Sequence, residues 1–166
     1  MAYTKKKRKN LMIGCIIAII VFNILAFKLN KRLTTNQVVH IWTFTIAFQC
    51  IFDFMLEFKY YGYWYFDKGA DWIGLLPHTV LISPVNMMFL NGYPFEHGMR
   101  KKIVYIVVWT LGVLVYETIS LFPEPWGYFH YGWWRLWHAA LVDPVLFFIL
   151  LKYYKWICKL ERQACQ

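Results

Sequence analysis

Residues 45–58 read TIAFQCIFDFMLEF. Every fourth residue is polar (Thr45, Gln49, Asp53, Glu57), and almost everything between them is apolar. Residues four apart are neighbours on a helix, drifting about 40° per step, so an amide and two carboxylates share one side. The stretch closes an apolar run over 38–58. Crossing a bilayer takes about 20 residues at about 1.5 Å each, so this run is long enough. The polar side is then expected to face other helices and the rest to face lipid. An acid at mid-membrane costs about 2.5–3.5 kcal/mol, less near the interface. By depth, Glu57 at the end reads as an interfacial charge, Gln49 as a helix–helix hydrogen bonder, and Asp53 as the acid that needs a partner.

Four more apolar runs, at 11–27, 72–90, 103–122 and 136–154, repeat the pattern in a chain of 166 residues. The chain is 60% hydrophobic and 16% charged, where a soluble domain would be about a quarter charged. The expected fold is all-α: one membrane domain over 11–154, a polytopic bundle of four or five transmembrane helices. Basic tails over 1–10 and 155–166 flank it. Asp143-Pro144 interrupts the last run like a cap followed by a first-turn proline, which suggests two short helices there. The first run follows KKKRK as a signal peptide would. It lacks a small-x-small cleavage site and meets KLNKR at once, so it reads as an uncleaved anchor.

The net charge of +9 flanks apolar blocks and serves topology and anionic headgroups. No motif points to nucleic acid. Lys and Arg number eight in 1–37, three in 91–102 and four in 152–166; the other connections hold only Lys59, Lys68 and Arg135. For the last four runs this places the 28–37 loop, the 91–102 loop and the C-terminus in the cytoplasm. The first run conflicts with the rule: if it spans, KKKRK lies outside; if not, it re-enters or lies on the surface. The four cysteines show no paired spacing, so neither a disulfide framework nor a zinc site is indicated.

The connections 58–72 and 122–137 hold sixteen of the thirty-five aromatic residues, too many for freely solvated loops. Tyr and Trp rings suit the headgroup layer. The alternative is an aromatic-lined pocket for a lipid or another amphiphile. The third run carries Pro77, His78, Pro84 and Asn86. Each proline removes a donor and frees a carbonyl four residues earlier, at Ile73 and Val80, so kinks lined by polar groups are expected; Pro144 makes a third candidate kink. Taking the outer ends at 58, 72, 122 and 136, the residues Asp53, His78, Glu117 and Asp143 lie five to seven residues inside, about 7–11 Å deep. A single buried polar cluster in the outer leaflet follows as an expectation, with Arg135 and His138 just above it. The acids could be neutral, could pair with these bases, or could hold a divalent metal. No cofactor is called for by the pattern. There is no H-E-x-x-H, G-x-S-x-G or P-loop spacing, so no catalytic residue is assigned.

From about 28 to 156 the chain resembles a family of small multispanning membrane proteins of endospore-forming Gram-positive bacteria. The likeness rests on KLNKR between the first two runs, the acid Asp53 late in the second, and PVNMMFLNGYP closing the third. It continues in RKK before the fourth, Glu117 late in it, YGWWRLW before the last and KYYKW at its end. The resemblance implies five spans with the N-terminus outside, in the bacterial cytoplasmic membrane, and no particular activity; KKKRK departs from that pattern. Three function classes stay open. The first is a non-catalytic membrane component working through helix or partner contacts, a homo-oligomer included. The second is a small proton- or ion-linked transporter or channel subunit. The third is a metal- or acid-dependent intramembrane enzyme acting on a lipid.

Overall fold

The computed structural model describes residues 2–68 and 72–164, without the side chains of 2–5, 7, 53 and 54. Five helical passes build it. They are α1 (Ala2–Leu29), α2 (Thr35–Asp53) with a π-helical turn Phe54–Lys59, α3 (Ile82–Gly92) preceded by a π-helical turn Pro77–Leu81, α4 (Met99–Ile119) and α5 (Leu136–Ala164). Four are long and apolar enough to cross a membrane: Arg8–Leu29, Thr35–Lys59, Met99–Ile119 and Leu136–Ala164. The chain is thus the all-α polytopic bundle its hydropathy predicts. The outer face of α4 displays the solvent the fold requires. Ile103, Val104, Val107, Val108, Leu111 and Val115 are 50–61% exposed, a stripe suited to hydrocarbon and unsuited to water.

Of the tails expected at 1–10 and 155–166, the described residues 2–10 and 155–164 are helical, because Lys, Arg and Gln are good helix formers and α1 and α5 run on through them. α5 also passes unbroken through Pro144. The two short helices expected there do not form; a membrane helix tolerates a proline where neighbours cover the freed backbone. The third pass carries Pro77 in a π-turn that runs straight into α3, which carries Pro84. Pro84 removes the donor for the Val80 carbonyl, and Asn23 of α1 supplies another: its Nδ2 donates to Val80 O at 2.9 Å. The Ile73 carbonyl, freed by Pro77, accepts from Leu76 N–H at 3.1 Å.

α1 runs along the bundle from one end to the other. Near its start Arg8 Nε lies 3.5 Å from Asp67, and Asn10 donates to Glu124 at 2.8 Å. At its finish Asn91 Nδ2 donates to the Leu29 carbonyl, and Asn91 Oδ1 accepts from the N–H groups of Lys31 and Arg32. Glu161 of α5, bonded to Asn36 and Gln37, lies at that same end. The first pass therefore runs the full length, and the N-terminal start of α1 and the C-terminal end of α5 sit at opposite ends.

The two aromatic connections close one end. β1 (Tyr63–Tyr65) and β2 (Phe129–Tyr131) pair antiparallel, with Tyr63 opposite Tyr131 and Tyr65 opposite Phe129. Strand alternation sends Tyr63, Tyr65 and Phe129 inward as a roof, while Trp64 turns out beneath the Lys68 ammonium. Gly14 lets α1 touch the roof: a Cβ there would meet the Pro125 carbonyl oxygen at 2.1 Å. Two cores follow. One, under the roof, gathers Cys15, Phe66, Tyr128 and Trp134; the other, toward the opposite end, gathers Ile41, Met87, Phe89, Phe147 and Tyr154. Between them the bundle is hollow.

Candidate functional site

The hollow is a chamber of about 390 Å³, lined by all five helices and both strands. Its walls are mostly rings and branched chains, among them Phe48, Phe52, Trp109, Tyr116, Phe129 and Phe147. Its polar lining is Thr45, Gln49, Asn86, Glu117, Ser120 and Asp143. Lys, Arg and His are missing from the described residues that line it.

Glu117 and Asp143 carry the charge-bearing wall. Glu117 projects from the last turns of α4 and Asp143 from the second turn of α5, so neighbouring antiparallel helices bring both onto the chamber wall. The Tyr131 hydroxyl donates to Glu117 Oε1 at 2.6 Å. Asp143 Oδ2 is buried without a hydrogen-bond partner among the described residues. Burial and the neighbouring Glu117 carboxylate push the Tyr131 phenol well above the usual tyrosine range, which keeps it a donor. Asn86 Nδ2 donates to Thr45 Oγ1 at 2.9 Å on the opposite wall, tying α3 to α2.

The single layer expected of Asp53, His78, Glu117 and Asp143 divides. Glu117 and Asp143 meet at the chamber. His78 turns away to Glu57: Nε2 lies 3.1 Å from Oε2, and both residues are 3% exposed. Glu57, expected as an exposed interfacial charge, is among the most deeply buried polar groups. The cause is local. Glu57 and His78 both stand on π-helical turns, whose extra residue per turn rotates a side chain off the face an α-helix would give it. Tyr65 joins the two centres, its N–H donating to Glu57 at 3.2 Å and its ring edge-on to His78 at 4.8 Å while it lines the chamber. The side chain of Asp53 lies outside the described residues.

The other expected partners of the acids serve elsewhere. His138 Nδ1 accepts from Arg135 N–H at 2.9 Å and so caps α5, and its ring stacks on Trp134 and Trp137. The Arg135 side chain is exposed. Gln49 lines the chamber, as a polar residue one turn below Asp53 can. Pro77 opens the π-turn and Pro84 sits in the first turn of α3. Sequence reasoning missed Tyr131 and Asn23. The first was hidden in an aromatic run with no marker of its pairing; the second was readable as a lone amide in an apolar helix facing a proline-freed carbonyl. Among the described residues no three His, Cys, Asp or Glu side chains converge as a metal site.

No family model, curated protein or solved structure matches the chain. Fold and site together define a polytopic helical membrane protein with a roofed, aromatic-walled, acid-bearing chamber.

Proposed function

We propose that this chain is a non-catalytic component of the bacterial cytoplasmic membrane that holds a small amphiphile in its chamber. The observation that carries the reading is the chamber: about 390 Å³, apolar on most sides, with polar groups gathered on part of the wall. Small-molecule sites run about 300–1,000 Å³ and share that division of labour. An amphiphile would place its apolar body among Phe48, Phe52 and Phe147 and its polar part toward Glu117 and Asp143. Ten of the Lys and Arg residues (28, 31, 32, 100–102, 152, 155, 159 and 162) belong to the end opposite the roof, which supports a cytoplasmic C-terminus.

Gly112 gives the test. It lines the chamber, and a Cβ placed on it meets nothing within 4 Å, so Gly112→Trp can fill space without moving the backbone. Native mass spectrometry of protein released from nanodiscs should show a retained small molecule on the wild type and none on Gly112→Trp. Identical spectra for the two would defeat the reading.

A proton- or ion-linked carrier is the second reading. The π-helical turn Pro77–Leu81 in the third pass favours it, because Leu81 and the following Ile82 face the carboxylate-bearing chamber and π-turns inside helices recur at functional sites. Substrate flux in proteoliposomes that responds to an imposed proton gradient separates it from simple binding.

A further inference from the structure

We propose that the chamber selects an organic cation: a quaternary ammonium, phosphonium or similar lipophilic head. This rests on the chamber being a ligand site and names what the site takes.

Three features of the wall converge. Glu117 and Asp143 are its ionisable carboxylates, and the described lining offers no Lys, Arg or His to neutralise them. Glu117 has one neutral donor, the Tyr131 hydroxyl, and Asp143 Oδ2 has no donor among the described residues. The remaining surface is rich in π faces, with Tyr65, Trp109, Tyr116, Phe129 and Trp134 all on the lining. Aromatic faces attract cations through the ring quadrupole, more strongly once water is excluded. A hydrogen-bonding ammonium would also reach the carboxylates, but it gives up far more hydration on entry. A soft, bulky cation loses little hydration on entry and meets rings and carboxylates together. An anionic head would face two carboxylates without a compensating charge, and a neutral one would leave Asp143 unmatched.

The roof adds a filter. Tyr63, Tyr65 and Phe129 cover one side of the chamber beneath paired strands, so the cation contacts rings on the roof side and the carboxylates at the α4–α5 wall. The Tyr131–Glu117 bond fixes one carboxylate's rotamer before the ligand arrives, which lowers the ordering cost of binding.

The experiment compares isosteric probes of opposite charge on nanodisc-embedded protein. Tetraphenylphosphonium and the smaller benzyltrimethylammonium are titrated against tetraphenylborate. The cations should bind and the borate should not. Glu117→Gln and Asp143→Asn should each weaken cation binding by about tenfold or more, with an unchanged elution volume and melting profile. Asp143→Asn guards against a folding defect, because Asp143 does not share the Tyr131 bond. Equal binding of phosphonium and borate, or cation affinity untouched by both amide variants, would overturn the assignment. If neither cation binds, yet wild type retains a neutral molecule that Gly112→Trp loses, the charge preference falls while the chamber reading stands. If Gly112→Trp alters neither cation binding nor retention, both fall.

Discussion

A single amide shows how the chain solves a problem posed by its own prolines. Pro84 strips Val80 of its helical donor, and an unpaired carbonyl in hydrocarbon is costly. Asn23 covers it from α1 and also bonds its own Ile19 carbonyl at 2.8 Å. Asn23→Leu should lower stability in mixed-micelle unfolding by about 1 kcal/mol. The pair should also be coupled: in a Pro84→Ala background position 84 regains its N–H, so removing Asn23 should then cost clearly less. Strict additivity of the two changes would show that the bond does not serve the freed carbonyl. Tyr128 makes a different test at the same scale. It is 1% exposed and bonded to the Tyr116 hydroxyl, and burial pushes its phenol up to about 12 against an ordinary 10.0. The unfolded chain therefore gives up this proton first. Stability linked to Tyr128 is complete below about pH 10 and is lost as pH rises toward about 12. Phenolate absorbance followed alongside unfolding should show that loss, and Tyr128→Phe should flatten it.

At the level of elements, depth was legible in the sequence and rotation was not. Residue counting put Glu117 and Asp143 at one level, and the structure brings them together because α4 and α5 are antiparallel neighbours with regular α geometry near both residues. The same counting failed for Glu57 and His78, since it assumed 3.6 residues per turn where the chain forms π-turns. Nothing in FMLEF or PHTVL beyond one proline announces that change. Pairing of the aromatic connections was equally hidden, because a three-residue ladder between segments far apart in sequence leaves no local period. The buried pair is where the π-turns can be probed. Removing one partner leaves the other buried without its counterpart, so His78→Ala should cost about 3 kcal/mol, and Glu57→Gln should lower stability too. The double replacement Glu57→Leu with His78→Phe should recover much of that loss. A double variant no better than the worse single one would mean that the turns depend on the polar pair itself.

The molecule as a whole is a bundle packed at two levels around a chamber, with one end roofed by strands and the other tied by Asn91 of α3 and Glu161 of α5 to the turn after α1 and the start of α2. Hydropathy alone placed every pass; it could not orient the first one, because KKKRK argued against the direction that five crossings demand. Contacts decide it. Arg8 and Asn10 reach Asp67 and Glu124 beside the roof, whereas Leu29 is held by Asn91 at the far end. An Arg8–Asp67 pair this exposed contributes little energy, so the direction rests on the length of α1 and on the Asn91 clamp more than on that contact. Reporter fusions should therefore place the two termini on opposite faces of the membrane, the C-terminus in the cytoplasm. Asn91→Ala removes three hydrogen bonds from the turn after α1 without touching its apolar face. It should loosen that turn to protease from the C-terminal side while leaving the fusion pattern unchanged. Termini reported on one face would rule out five passes, and with them the route by which α1 seals the roof through Gly14 and Pro125.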